Sequence, residues 1–375
     1  MERLYWNNDW KFAETWEEAM KEVVYPENEM EDVRLPHTCK ELPYHYFDEH
    51  AYQMLCGYRR HFMAPEVWQG KSVELTFEGV AHDAVVYVNG TEVKAHHCGY
   101  TAFFVEIAKY LKYGEDNVLA VRVDSRENLN IPPFGYAIDY MTFGGMYREV
   151  YVQVRNKTHL ADVFIKPQIH PLQVTTEITV QNISDGITLQ QEIRKKGEGA
   201  YSPLGKKPVK QTNVQTVFPV QEIRLWEPEN PYLYEIRTSL WKNGEMIDAR
   251  VDITGFREAG FRKDGFYLNG KKLRLRGLNR HQSYPYVGYA APASMQIFDA
   301  DILKKELGVN AVRTSHYPQS QDFIRRCDEI GLLVFTEFPG WQHIGDEEWK
   351  RQAVQNLKEM IVQYRNHPSI ILWGV

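Results

Sequence analysis

The stretch from Leu273 to Val375 carries four short apolar runs, which read LRLRGL (273–278), VNAVRT (309–314), LLVFT (332–336) and SIILW (369–373). These runs are mostly rich in Val, Ile and Leu and contain no proline, which is typical of buried parallel strands. Three segments with helical periodicity lie between them, namely Asp299–Leu307, Gln321–Ile330 and Glu347–Tyr364. The stretch therefore predicts the element order βαβαβαβ.

Polar and aromatic residues follow the predicted strands. They are Asn279-Arg280-His281 after the first strand, Ser315-His316-Tyr317-Pro318 after the second, and Glu337, Trp341 and His343 after the third. A repeated βα unit forms either a barrel or an open doubly wound sheet. Barrels build their sites from residues at these strand ends, and no Gly-rich phosphate loop follows the first strand. Residues 256–375 are therefore predicted to form the first half of a (β/α)8 barrel.

The preceding residues predict two β-domains. Alternating segments such as Ser72–Glu78 and an Asn89-Gly90 turn between apolar runs favour a β-sandwich over residues 1–157. Residues 158–255 have the length of an immunoglobulin domain and contain a second hairpin signal at Asn243-Gly244. The Gly, Lys and Pro residues of Lys195–Lys210 predict a mobile loop in this second domain.

Composition excludes several functional classes. Among 375 residues the formal net charge is −6, which offers no basic field for nucleic acid. No apolar stretch is long enough to cross a membrane. The four cysteines have no metal-ligand spacing, so we expect a reduced, cytoplasmic protein. The 13% aromatic content suits sugar binding but is equally expected of β-sandwich cores.

Several motifs, in the same order along the chain, resemble family 2 of the glycoside hydrolases, which includes β-galactosidases and β-glucuronidases. They read FYLNGK (266–271), RGLNRH (276–281), NAVRTSHYP (310–318) and RNHPS (365–369). The resemblance implies a jelly-roll sugar-binding domain, an immunoglobulin-like domain and a TIM barrel. It also implies retaining hydrolysis of terminal β-D-galactosides, because Asn279-Arg280-His281 followed by Pro285 and Gly288 is closer to the galactosidase branch. β-Glucuronidase is the alternative, and a non-catalytic carbohydrate-binding or assembly module is the alternative from another class.

The resemblance also assigns candidate site residues. Those expected to contact substrate are Asp139, His281, His316 and Trp341, and those expected to support the site are Asn89, Arg313 and Glu337. Three alternatives remain open: Asp139 caps a surface turn, Glu337 forms a structural ion pair with Arg313, and Trp341 packs on the barrel. Glu337 and His343 are weak metal-ligand candidates. The resemblance leaves Mg²⁺ or Na⁺ open as a cofactor and requires neither.

Retention requires two carboxyl groups about 5–5.5 Å apart. In the family, the acid/base Glu closely follows the strand that here reads Ile370–Gly374, and the nucleophile lies on a later strand. We expect neither within these residues, so the chain is predicted to be a fragment that is inactive alone. The open edge of its fourth strand invites association, which makes a homo-oligomer the expected state.

Overall fold

The structure is a computed structural model that describes residues 3–43, 48–136 and 138–375. The first unit contains ten strands, which are β1 (Leu4–Tyr5), β2 (Trp10–Ala13), β3 (Glu31–Val33), β4 (Leu55–Met63), β5 (Ser72–Phe77), β6 (Asp83–Val88), β7 (Thr91–His96), β8 (Phe103–Glu106), β9 (Asp116–Asp124) and β10 (Val150–Arg155). They pair antiparallel in two sheets, ordered β1-β10-β5-β8 and β3-β2-β4-β9-β6-β7. Apolar residues from both sheets share one core. The predicted jelly-roll sandwich is confirmed.

The second unit is also a β-sandwich. Its strands are β11 (His159–Ile169), β12 (Leu172–Gln181), β13 (Ile187–Lys195), β14 (Ser202–Pro208), β15 (Asn213–Pro219), β16 (Trp226–Glu227), β17 (Asn230–Pro231), β18 (Tyr234–Lys242) and β19 (Glu245–Thr254). The two main sheets are ordered β11-β12-β15 and β14-β13-β18-β19. The predicted loop at Lys195–Lys210 is wrong in its second half, because β14 pairs antiparallel with β13 there.

A small antiparallel sheet leads into the barrel. It consists of β20 (Ala259–Arg262), β21 (Gly265–Leu268) and β22 (Lys271–Leu273). Strands β21 and β22 pair across Asn269-Gly270, both of which have positive φ, as a two-residue Asn-Gly hairpin turn requires.

Four parallel strands form the barrel sheet in the order β23 (Gly277–Asn279), β24 (Ala311–Thr314), β25 (Leu333–Glu337) and β26 (Ile370–Gly374). The predicted half-barrel is thereby confirmed. The first strand is shorter and begins later than the predicted Leu273–Leu278, because Lys271–Leu273 pairs within the hairpin instead. At Gly277 the chain approaches β24 so closely that a Cβ atom would lie 2.3 Å from the carbonyl oxygen of Ala311.

The helices that follow the strands are α1 (Ala293–Asp301), α2 (Gln321–Ile330) and α3 (Glu347–Tyr364). Helices α2 and α3 have the predicted bounds. Helix α1 begins directly after Pro292, earlier than predicted, and a π-helical turn at Ile302–Glu306 follows it. The sequence shows little helical periodicity before Asp299, because the apolar residues Ile297 and Phe298 lie on the exposed face of this helix instead of its buried face. None of the described helices is both long and apolar enough to cross a membrane.

The helices cover one side of the barrel sheet. Val312, Val334 and Ile370 pack on that side against residues of α2 and α3. The opposite side, which would face the interior of a barrel, keeps Leu278 and Leu372 exposed. Because all four strands are parallel, their C-terminal ends lie along one edge of the sheet, which faces the first unit.

Candidate functional site

The strand ends bring three predicted residues into direct contact. Glu337, the last residue of β25, is buried and accepts a hydrogen bond from Nε of Arg313 on β24. Its other carboxylate oxygen lies 3.1 Å from Nδ1 of His316, in the loop after β24. Nη2 of Arg313 is 3.3 Å from the same nitrogen. The ion pair that we held open as the structural alternative is therefore present, and it orients His316 at the barrel rim.

His281, after β23, lies beside His316 with 5.6 Å between their ring centroids. Nδ1 of His281 is 3.1 Å from the hydroxyl oxygen of Tyr317. Desolvation by the surrounding loops lowers the pKa of His281, and His316 lowers it further, whereas Asp139 opposes the shift. A neutral imidazole follows at neutral pH, and it can both donate and accept a hydrogen bond.

An aromatic wall completes the rim. The ring of Trp341 lies 4.6 Å from that of His316, centroid to centroid. Tyr140, from the loop between β9 and β10 of the first unit, packs against both histidines and Trp341, with centroid distances of 5.3, 5.8 and 5.5 Å. Histidines and aromatic rings around an open rim are groups that bind polyhydroxylated ligands.

Asp139 is exposed and directly precedes Tyr140. Its charge acts on His281, which places the carboxylate on the side of the barrel rim. The first unit therefore contributes both an acidic and an aromatic residue to the histidine cluster.

Two predicted residues lie apart from this cluster. Asn89 has positive φ in the β6–β7 turn, and its amide nitrogen donates to Tyr110 and Asn117 within the first unit. Its contacts are those of a turn residue. His343 packs beside Gly135 and against the ring of Trp349, rather than beside Glu337.

The cluster does not fit a metal ion. Across the described ranges, no three His, Cys, Asp or Glu side chains converge as metal ligands. Both oxygens of Glu337 are already engaged by Arg313 and His316, and His343 faces other residues.

The sequence reasoning missed Tyr140 and Tyr317 as members of the site. Tyr317 is fully buried, stacks on Tyr100 of the first unit at 4.5 Å, and burial raises its pKa to about 12. Both residues stood beside candidates, Tyr140 next to Asp139 and Tyr317 next to His316. The position of each tyrosine directly after a candidate polar residue is the feature of the sequence that could have identified it.

Comparisons with known proteins give a consistent result. Three sequence profiles match the chain: the sugar binding domain of "Glycosyl hydrolases family 2" over residues 31–155, "Glycosyl hydrolases family 2" over 158–257, and the TIM barrel domain of that family over 260–375. A β-galactosidase of Thermoanaerobacter pseudethanolicus is 47% identical across 99% of this chain and 51% of its own length. A β-glucuronidase of Bacteroides fragilis is 32% identical across 84% of this chain and 48% of its own. The chain spans about half the length of the curated relatives that it matches.

Solved structures agree with this fold. A Bacteroides uniformis β-glucuronidase, covalently bound to cyclophellitol-6-carboxylate aziridine, superimposes with a TM-score of 0.91 at 30% identity, covering 100% of this chain and 46% of that one. A putative β-galactosidase from Bacteroides fragilis gives a TM-score of 0.86 at 27% identity, covering 100% of this chain and 58% of that one.

Proposed function

The chain belongs to family 2 of the glycoside hydrolases, and from that premise we propose that it forms the sugar-binding part of an enzyme that hydrolyses terminal non-reducing β-D-galactosides with retention. The assignment to galactosides rests on one observation. Nearly half of the residues of this chain, along almost its whole length, are identical to those of a relative named β-galactosidase.

The rim of the barrel supports sugar binding. The imidazoles of His281 and His316 can hydrogen-bond sugar hydroxyls, and such bonds strengthen as charge develops in the transition state. Trp341 offers an aromatic wall beside them. Asp139 offers a carboxylate that accepts hydrogen bonds from hydroxyl groups.

Glu337 has a positioning role in this proposal. A general acid needs a carboxyl group that is free to protonate the leaving oxygen. Both oxygens of Glu337 are held, one by Arg313 and one by His316. We therefore expect the chain alone to bind sugar without hydrolysing it.

A β-glucuronidase is the second candidate, because a structure of that activity superimposes closely on this chain. A glucuronide carries a carboxylate, which a cation would recognise. Arg313, the guanidinium at the rim, is paired with Glu337, so these contacts do not separate the two sugars and binding must decide between them.

The proposal also covers the oligomeric state of the protein and the cellular compartment in which it acts. Leu278 and Leu372 are exposed on the barrel sheet, and exposed apolar side chains favour association, so we expect a homo-oligomer. The four cysteines are buried and unpaired, which fits a reducing compartment such as the cytoplasm. Light scattering of the purified chain measures the first expectation.

Titration calorimetry with isopropyl β-D-thiogalactoside and phenyl β-D-thioglucuronide tests the sugar assignment, because thioglycosides resist hydrolysis. We expect the galactoside to bind more tightly, and no turnover of nitrophenyl β-galactoside by the chain alone. Preference for the glucuronide would move the assignment to the second candidate. Rapid turnover would contradict the role given to Glu337, and binding of neither sugar would reject the proposed function.

A further inference from the structure

We propose that Tyr140 is a positioning residue of this site, whose ring fixes the imidazoles of His281 and His316 for the bound sugar, while its hydroxyl group takes no part. The inference rests on the proposed function, and it concerns how the first unit acts on the barrel.

The ring of Tyr140 contacts four other rings of the rim. It meets His281 and His316 at tilts of 40° and 41°, and the ring of Trp341 edge-on at 89°. A further contact, to Tyr317, has a centroid distance of 5.5 Å. Ring contacts in tilted and edge-on arrangements are favourable beyond the area they bury. One side chain therefore contacts both histidines and can restrain them together.

The loop that carries Tyr140 is itself held in place. The hydroxyl of Tyr289, in a barrel loop, donates to the carbonyl of Met141 at 2.6 Å. Nε2 of His82, in the first unit, lies 3.1 Å from the carbonyl oxygen of Thr142. On the other side of Tyr140, Gly135 lies so close to His343 that a Cβ atom would be 2.3 Å from its ring. A side chain anchored in this way can transmit the position of the first unit to the rim.

The hydroxyl oxygen of Tyr140 is buried and has no hydrogen-bond partner among the described residues. A buried hydroxyl without a partner destabilises the fold, so it does not explain why a tyrosine stands here. The ring contacts account for the placement of this residue, so phenylalanine should replace it without loss at the site.

The first test measures sugar binding. We expect Tyr140→Ala and Tyr140→Leu to raise the dissociation constant for isopropyl β-D-thiogalactoside at least about tenfold, because small displacements of positioned groups have large effects. Tyr140→Phe should stay within about twofold of the parent chain. Tyr140→Leu keeps apolar bulk and guards against loss of the fold. The matched control is Tyr113→Phe, which removes a hydroxyl that donates to Ala108 within the first unit.

The second test needs no sugar. In an NMR titration of the imidazoles, Tyr140→Ala should raise the pKa of His281 toward its ordinary value, because the Tyr140 ring covers part of the exposed imidazole and its removal reduces the desolvation. Tyr140→Phe should leave that pKa unchanged. The other charged and titratable groups that face His281 are kept in both variants, and they are His316, Arg280, Asp139 and Tyr317.

The outcomes separate the two proposals. If the parent chain binds no thiogalactoside, the proposed function fails, while the His281 titration still decides the role of Tyr140. An unchanged His281 pKa in Tyr140→Ala would overturn the positioning role. A loss of affinity in Tyr140→Phe as large as in Tyr140→Ala would show that the hydroxyl, not the ring, is the functional group.

Discussion

Among the single residues of the barrel rim, Glu337 and His281 illustrate two kinds of environment. Glu337 is buried, and its two oxygens hold Arg313 and His316. His281 is exposed and bonds a protein group through Nδ1 at Tyr317. A side chain of the first kind orients its neighbours, and one of the second kind has a face left for a ligand.

A buried histidine makes the stability of the first unit depend on pH. His82 is 1% exposed, and burial lowers its pKa to about 4. The unfolded chain therefore binds the proton more tightly, so the contribution of His82 is complete above about pH 6.5 and is lost as the pH falls toward 4. We expect His82→Gln to remove on the order of 3 kcal/mol of the stability difference between pH 7 and pH 4.5 in urea unfolding.

His97 is the matched control for this measurement, because it is partly exposed and its hydrogen bond with Asp83 raises its pKa. Its contribution has the opposite sign, being present at low pH and lost as the pH rises. In His97→Gln, the decrease in the free energy of unfolding at low pH should remain or become slightly larger. If His82→Gln keeps the full difference in unfolding free energy between pH 7 and pH 4.5, another group causes that difference.

At the scale of elements, the barrel helices begin and end at side chains that the sequence displays. Ser320 and Asp346 accept hydrogen bonds from backbone amides at the starts of α2 and α3. Gly331 ends α2 in the left-handed conformation, at φ 71°, and Gly308, with φ 65°, follows the turn after α1. The two glycines share this conformation but differ in their surroundings.

That difference predicts unequal effects of alanine. A Cβ atom at Gly331 would lie 2.2 Å from the carbonyl oxygen of Pro228 in the second unit, whereas nothing lies within 4 Å at Gly308. We expect Gly308→Ala to cost about 1 kcal/mol, which is the conformational term alone. Gly331→Ala should cost at least about 2 kcal/mol more, because the backbone of the neighbouring unit must move. Equal midpoint shifts in urea unfolding would contradict this packing.

In the whole molecule, hydrogen bonds from side chains that are buried or half-buried join the three units. Arg148 of the first unit donates to Gln282 and to the carbonyl of Pro318 in the barrel loops, each at 3.0 Å. Trp226 of the second unit donates to the carbonyl of Asp328 at the end of α2, at 2.8 Å. Asn366, after α3, bonds the backbone of Ile165 and Val163. The Arg148 contacts lie in the barrel loops that carry His281 and His316, and they hold the first unit against the candidate sugar site.

Removal of the Arg148 guanidinium should loosen the first unit from the barrel. Arg148→Met keeps much of the apolar stem but leaves the carbonyls of Tyr100 and Pro318 and the side chain of Gln282 without their donor. We expect a loss of roughly 3 kcal/mol or more, and a broadened or divided transition in scanning calorimetry. Arg126→Met, which removes a half-exposed partner of Asp124, is the control and should change little. A single unshifted transition in Arg148→Met would contradict this role.

The sequence by itself determined the features that depend on near neighbours. The Asn-Gly turns at 89–90, 243–244 and 269–270, the helices α2 and α3, and the barrel strands after the first follow from turn chemistry and periodicity. The meeting of His281, His316 and Glu337 could also be anticipated, because the carboxyl ends of parallel strands lie along one edge.

Only the tertiary structure decided the rest. The late start of β23 depends on the pairing of Lys271–Leu273 within the hairpin, and the strand at Ser202–Pro208 depends on pairing with β13. The position of Tyr140 against His281 and His316 joins residues far apart in the chain and in different units. Such contacts depend on how whole surfaces pack, because the free energy of a distant contact is absent from the local propensities that a sequence displays.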